Sequence, residues 1–352
     1  MIDARWSAPI RDGGGELSPL VVGDLVVAAG RDGLRAFDRR SGALKWSVGD
    51  SGQAGVSRRL LERGGMIYAT SWKITAYDAS TGQTKWSVKS YYTATQSENV
   101  VDADFVITGD YMHRVQAFDR ITGRTAWTTD VAPDCRTRCV VGGVSIAGDT
   151  VYVALDYPDV NEQSEKRHFV GMDRLTGRIL FARAITGARE SGLQCSPLVF
   201  ERLVALCDFR GRRFVAIDRF SLADGWSTIA DPEMPGPVGP MFVRGDSLFS
   251  GAFDGAIYVI GVRDGVIFLR KKLGVATRGV VLCGHHLASS NFAVQFVDLR
   301  SGRVVARLNT GRALIASALA SDGESVFAQS GERLWAVACG AAHSGLPLRD
   351  PR

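Results

Sequence analysis

The chain has 352 residues, 22% of them charged and 45% hydrophobic, the balance of an ordinary globular protein, which excludes a disordered or fibrous chain. Its net charge is +5, and 35 of the 42 basic residues are Arg, but no basic run or RNA-binding signature occurs, so no nucleic-acid partner is expected. No apolar run approaches the roughly 18 residues of a membrane span, since even Pro19 to Gly30 is interrupted by Asp24.

Ala4-Arg5-Trp6 opens the chain as the end of a repeat without its beginning. Trp6 stands forty residues before Trp46, which stands forty before Trp86. Leu17 to Val22 and Leu25 to Ala29 read as strands joined by Gly23-Asp24, a hairpin signal. LRAFDRRSGALKW follows, from Leu34 to Trp46. Its first half alternates like a strand with one buried face until Asp38 ends it. That Asp can accept hydrogen bonds from the backbone N–H groups after it, and Gly42 supplies the positive φ of a tight turn. The returning strand carries Trp46.

The phrase returns as ITAYDASTGQTKW (Ile74 to Trp86), VQAFDRITGRTAW (Val115 to Trp127) and FVGMDRLTGRILF (Phe169 to Phe181). Weaker copies begin at Phe214, Ile257 and Val294, and a truncated one at Leu334. Two more strand-like runs precede each copy, among them Met66 to Thr70, Phe105 to Thr108, Thr150 to Leu155, Leu203 to Cys207 and Ser247 to Ala252. Eight units in 352 residues give 44 each, within the roughly 40–50 of a propeller blade. A large apolar residue recurs at one place (Trp46, Trp86, Trp127, Phe181, Trp226, Leu269) and is expected to pack against the next unit. Asp119 and Asp173 are 54 residues apart, against 40 for Asp38 and Asp78. The excess, Asp156 to Lys166, is a polar insertion between second and third strands.

The expectation is an all-β, eight-bladed β-propeller of four-stranded antiparallel blades, closed by the N-terminal strand completing the last blade. A single domain spans 1–340, and 341–352 form a C-terminal tail. The AFD-x-x-TG-x-x-x-W phrase resembles the PQQ-like propeller repeats of quinoprotein alcohol dehydrogenases and of the outer-membrane assembly lipoprotein built on the same repeat. The resemblance implies architecture rather than activity. The dehydrogenases carry a vicinal Cys-Cys disulfide over the quinone and Glu, Asn and Asp ligands for Ca²⁺, whereas no two Cys are adjacent here. No haem-attachment, zinc, phosphate-loop or nucleophile-elbow motif occurs, so no cofactor and no metal are expected. His285-His286 is read as a solvated turn, and the Asp of each phrase as a turn cap.

Six Cys fall into three placeable pairs. Cys195 and Cys207 flank the Glu201-Arg202 hairpin, Cys135 and Cys139 share a loop, and Cys283 and Cys339 fall on one rim of adjacent blades. This points outside the cytoplasm, with any targeting segment absent from this chain; a cytoplasmic protein with six buried thiols is the alternative.

The turns after the phrase Asp and the Gly-Asp hairpins share one face. The blade-to-blade connections and second-to-third-strand loops share the other, the funnel face around the central channel. Ligand-binding candidates there are Arg31, Arg58, Trp72, Tyr91, Tyr92, Tyr111, His113, Arg114, Asp208, Arg210 and Arg278, because aromatic residues with Arg on a loop face favour recognition. The plain alternative is that they only cover the blade ends. The expected function is a monomeric binding or scaffolding propeller holding a protein or a small anionic ligand. The alternative is an enzyme with lyase- or cyclase-type chemistry at the channel mouth; a PQQ-dependent dehydrogenase is not expected.

Overall fold

Each phrase folds as the third and fourth strands of a sheet, and the two apolar runs before it supply the first and second. The computed structural model describes residues 1–10, 18–30, 33–49, 60–70, 73–90, 99–133, 135, 139–156, 168–185, 193, 195–209, 211–230, 241–274, 277, 279–290, 293–310, 319–330 and 332–340. These residues form eight four-stranded antiparallel sheets. Blade 1 consists of Leu20–Val22, Leu25–Gly30, Gly33–Asp38 and Leu44–Gly49, and blades 2 to 7 repeat its order. First strands of neighbouring blades lie against one another around the axis, as in blades 1 to 5 and from blade 7 through 8 to 1. Fourth strands face outward and expose alternate residues, as Thr84–Lys89 does.

The eighth blade confirms the closure. Ala320–Ser321, Ser325–Gln329 and Arg333–Ala338 supply three strands and Trp6–Pro9 the fourth, with Trp6 opposite Ala336 and Pro9 opposite Arg333. Ile2 reaches further, donating its amide to the Arg307 carbonyl (2.8 Å) and accepting from the Asn309 amide (2.9 Å), so the residues ahead of the strand grip blade 7.

The core lies between blades rather than within them. Val27, Leu34 and Ala36 of blade 1 are buried with Leu60, Ile67 and Tyr77 of blade 2, and comparable layers recur around the ring. The fourth-strand Trp is the bolt in this packing. Its indole covers the turn Gly of the following blade: a Cβ on Gly42, Gly82, Gly123, Gly177 or Gly265 would come 2.6–2.7 Å from Trp6, Trp46, Trp86, Trp127 or Trp226. Each indole Nε1 also donates to a carbonyl of that turn, at 2.9–3.1 Å. The glycines are thus needed twice, for φ values of +71° to +74° and for the bare surface the ring occupies.

Between blades 4 and 5 the joint differs. Leu222 holds the turn position with φ 59°, and its side chain leaves no seat for an indole. Phe181 lies instead over Gly171 of its own blade, where an added Cβ would meet the ring at 2.0 Å. It packs on Phe169 and Tyr152, with ring centroids 5.5 and 6.4 Å away. Arg183 takes over the link to the next blade, donating to the Leu222 carbonyl and, at 2.5 Å, to Asp224.

The turn Asp residues cap as expected. Asp38 Oδ1 accepts from the Arg40 and Ser41 amides at 3.1 and 2.9 Å and from the Ser41 hydroxyl at 2.9 Å. The Ser41 amide, then its hydroxyl, push Asp38 down to about 2 from 3.8. The residue after each turn Asp, or its equivalent, donates its amide to the first hairpin of the same blade: Arg39 to Asp24, Ala79 to Gly65, and so on through Cys339 to Glu324, at 2.7–3.3 Å. That bond occurs in all eight blades.

All six Cys are paired as Cys135–Cys139, Cys195–Cys207 and Cys283–Cys339. The reading of His285-His286 needs correction. His286 is 3% exposed and begins the strand His286–Ser290 opposite Asp298. Gly284, with φ 63°, and His285 suffice for the turn, so the strand starts one residue early and turns His286 inward.

Candidate functional site

The funnel face is built from the loops between second and third strands and from the blade-to-blade connections. Of the residues expected there, Tyr111 and His113 lie in the loop that follows Phe105–Gly109 in blade 3, Arg114 opens the next strand, Arg114–Asp119, and Asp208 ends Leu203–Asp208 in blade 5. Arg31, Arg58, Trp72, Tyr91, Tyr92, Arg210 and Arg278 lie outside the described residues, as does the insertion beyond Asp156. The structure thus brings three candidates together and places the fourth two blades away.

A carboxylate closes each of three loops. In blade 3, Asp110 is 2% exposed and accepts from the Met112 and Arg114 amides, both at 2.8 Å, and from Arg114 Nε at 2.9 Å. In blade 5, the fully buried Asp208 accepts from the Gly211 amide at 2.8 Å and from Arg213 Nε at 3.0 Å. In blade 6, Asp254 accepts from the Ala256 amide (2.9 Å), the Tyr258 hydroxyl (2.7 Å) and Arg270 (3.1 Å). Burial, and then Asp254, push the Tyr258 hydroxyl far above its usual range, so it stays a donor. Arg270 is held higher still, first by its bond with Tyr258.

The same three loops share a backbone device. His113, Arg212 and Gly255 have φ values of 51°, 56° and 79°. Their carbonyls accept the amides of Val131, Ala230 and Leu273, at 2.8–2.9 Å, just past the fourth strand. His113 adds a side-chain tie, Nδ1 to Asp130 Oδ1 at 2.6 Å. Arg114 and Asp208, expected as ligand contacts, are therefore engaged in closing their own loops.

What remains presented are the loop crests. Met112 is 55% exposed in blade 3. In blades 5 and 6, Phe209 follows Asp208 and Phe253 precedes Asp254; their rings meet edge-on with centroids 5.7 Å apart, and Phe253 is 42% exposed. Sequence reasoning passed over this pair. Its signal was an Asp closing the second strand or its loop in blades 3, 5 and 6, a repeat hidden by unequal loop lengths. Buried amides stitch the face together: Gln329 donates to the Ala29 carbonyl across blades 8 and 1 at 2.6 Å, and Asn99 to the Thr70 hydroxyl across blades 3 and 2. Among the described residues, no group of three or more His, Cys, Asp or Glu is placed to hold a metal ion. No helix among them is long and apolar enough to cross a membrane.

The family described as outer membrane protein assembly factor BamB matches residues 3–104 and 64–270, well over half of the 352. This chain belongs to that family. No curated protein matches it. BamB from Moraxella catarrhalis is similar in structure, with a TM-score of 0.68, 16% identity, and 99% of this chain and 98% of that one covered. The computationally designed Ika8 protein has a TM-score of 0.73 at 14% identity, covering 95% of this chain and 99% of its own. Quinohemoprotein alcohol dehydrogenase from Comamonas testosteroni has a TM-score of 0.75 at 13% identity, with 99% of this chain and 77% of that chain covered. At such identities the BamB, Ika8 and dehydrogenase likenesses speak to the fold.

Proposed function

We propose that this BamB-family chain is a protein-binding scaffold working outside the cytoplasm, with its partner held on the funnel face. The observation that carries this reading is the contrast between the two faces. On the turn face one backbone bond recurs in every blade. On the funnel face the loops differ in length and residue from blade to blade and carry Met112, Phe209 and Phe253 at unrelated positions, whereas Ile121, Leu175 and Phe220, exposed on the turn face, all stand two residues after a turn Asp. A face built to the repeat holds the ring together, and a face that departs from it is free to serve recognition.

Three disulfides fit an oxidising compartment, and the family is named for an outer membrane protein assembly factor. Loop carboxylates bound by Arg and backbone amides fit a rigid platform better than acid–base chemistry. The residues that join this proposal are Arg31, Arg58, Trp72, Tyr91, Tyr92, Arg210 and Arg278, together with Tyr111, His113, Arg114 and Asp208. The partner is a protein or a small anionic ligand, bound by a monomer.

A photo-crosslinking residue at Met112, introduced in the native host, should yield a protein adduct, and one at Arg300 on the turn face should not. Replacing Arg58 and Trp72 together, with circular dichroism unchanged, should abolish that adduct. An adduct from Arg300 alone would move the site to the opposite face.

A further inference from the structure

We infer that the rim of blades 5 and 6 docks an acidic protein segment carrying an aromatic or aliphatic anchor. The inference rests on the funnel-face reading above and states where on that face the partner sits and what it is made of.

Phe209 and Phe253 come from equivalent loops of adjacent blades and touch edge-on, with an interplanar angle of 73°. Neither ring can be hidden by letting its loop relax. Asp208 and Asp254, whose side chains are fully buried, lock the chain on either side of the pair through Arg213 and Arg270. The rings are thus held at the surface by the most rigid elements of this face, and preorganised aromatic groups are the usual anchors of an interface.

Among the described residues, the charges exposed around the pair are cationic. Arg213 and Arg270 are paired with Asp208 and Asp254; Arg212 of the blade 5 loop, and Lys271 and Lys272 at the end of the blade 6 fourth strand, opposite Ile257 and Ala256 beside the Asp254 loop, add further positive charge. The carboxylates described among them, Asp208 and Asp254, are buried, whereas Arg212 and Lys272 are exposed. A partner approaching this rim meets cations around an apolar centre, so acidic residues flanking an apolar side chain complement it. Blade 3 lacks this character: there Asp130, 44% exposed, stands beside His113.

The test is a selection of randomly displayed peptides on the full chain, followed by affinity measurement against variants whose melting matches wild type. Enriched peptides should be acidic with an aromatic or aliphatic residue, and salt should weaken them. Phe253→Ser should weaken binding at least about tenfold and Lys272→Glu severalfold, while Phe220→Ser on the turn face should change nothing. Because Phe253 and Lys272 are exposed, both variants are expected to fold. Enrichment of neutral or basic peptides, indifference to Phe253→Ser, or no enrichment at all overturns the inference. So does retention of only oligothymidylate or anionic phosphatidylglycerol vesicles. Peptides lost with Trp72→Ala but kept with Phe253→Ser would leave the funnel-face reading standing and remove this docking point; peptides lost only with Phe220→Ser would remove both.

Discussion

Trp46 and Gly82 form one joint: the indole of blade 1 lies on the bare α-carbon of blade 2, and its Nε1 donates to the Ala79 carbonyl at 3.0 Å. Trp46 is 9% exposed, so Trp46→Ala should lose about 3–5 kcal/mol in denaturant titration through the cavity left between blades. Gly82→Ala should cost more than the ~1–2 kcal/mol of left-handed backbone alone, because its methyl would sit 2.6 Å from the ring. A loss below 1 kcal/mol for either would show that the joint does not bear on stability.

Phe181 and Leu222 should behave as a coupled pair. Phe181→Trp alone overfills the slot above Gly171 and should destabilise; Leu222→Gly opens the turn seat that the other blades offer. A double-mutant cycle should therefore find the two substitutions together at least about 1 kcal/mol better than their sum. Strict additivity would mean that Phe181 faces its own blade for some other reason.

Deleting residues 1–7 removes the first half of the fourth strand of blade 8, the Trp6 joint on Gly42 and the Ile2 bonds to blade 7. The exposed edge of Arg333–Ala338 should cause aggregation, or melting far below wild type. An unchanged melting temperature would show that the ring holds without its clasp.

Non-reducing peptide mapping should recover the three disulfides, and their removal should matter in order of the loop each closes. The sequence separations are 56, 12 and 4 residues for Cys283–Cys339, Cys195–Cys207 and Cys135–Cys139. Chain-entropy arithmetic gives losses of about 4, 3 and 2 kcal/mol for the paired Cys→Ser variants. The reverse order in thermal melting would place the stabilisation in native contacts instead.

Acid should act through the turns. Asp38 is held at about 2 against 3.8, and Asp78, Asp119, Asp173, Asp218 and Asp298 are lowered too, chiefly by hydrogen bonds from the Ser or Thr two or three residues on. A folded value below the unfolded one adds stability above the unfolded pKa and loses it as pH falls through the folded one. Melting temperature should hold down to about pH 4 and then fall progressively to below pH 2. Asp78→Asn should flatten that decline; an unaltered slope would assign the acid loss to other groups.

Much of the ring was legible in the residues, because its determinants repeat. Trp6 at the Trp46 spacing announced closure, the Asp and Gly of each phrase announced the turns, and the strand model placed all three Cys pairs. The exceptions depended on contacts that do not repeat. Leu222 at φ 59° is invisible to any rule that expects Gly there, and Phe181 is apolar whichever blade it faces. The loop clasps of the funnel face escaped because Asp110, Asp208 and Asp254 find their Arg partners 4, 5 and 16 residues away. Spacing that irregular leaves no period to read, so Arg114 and Asp208 looked available when they were already engaged.

The clasp also orders events in time. Arg333 donates to Ser7 across 326 positions, joining the two ends of the described chain. Each of blades 1 to 7 can form as its own residues appear, but Trp6–Pro9 must wait uncommitted until Arg333–Ala338 exists. The waiting species is an open crescent with one unpaired edge and a bare indole, the kind of surface that invites pairing between chains. The delay costs little in equilibrium terms, since loop entropy grows only logarithmically with length. On this topology, slower meeting of the two ends should lower the share of chains that reach the closed ring.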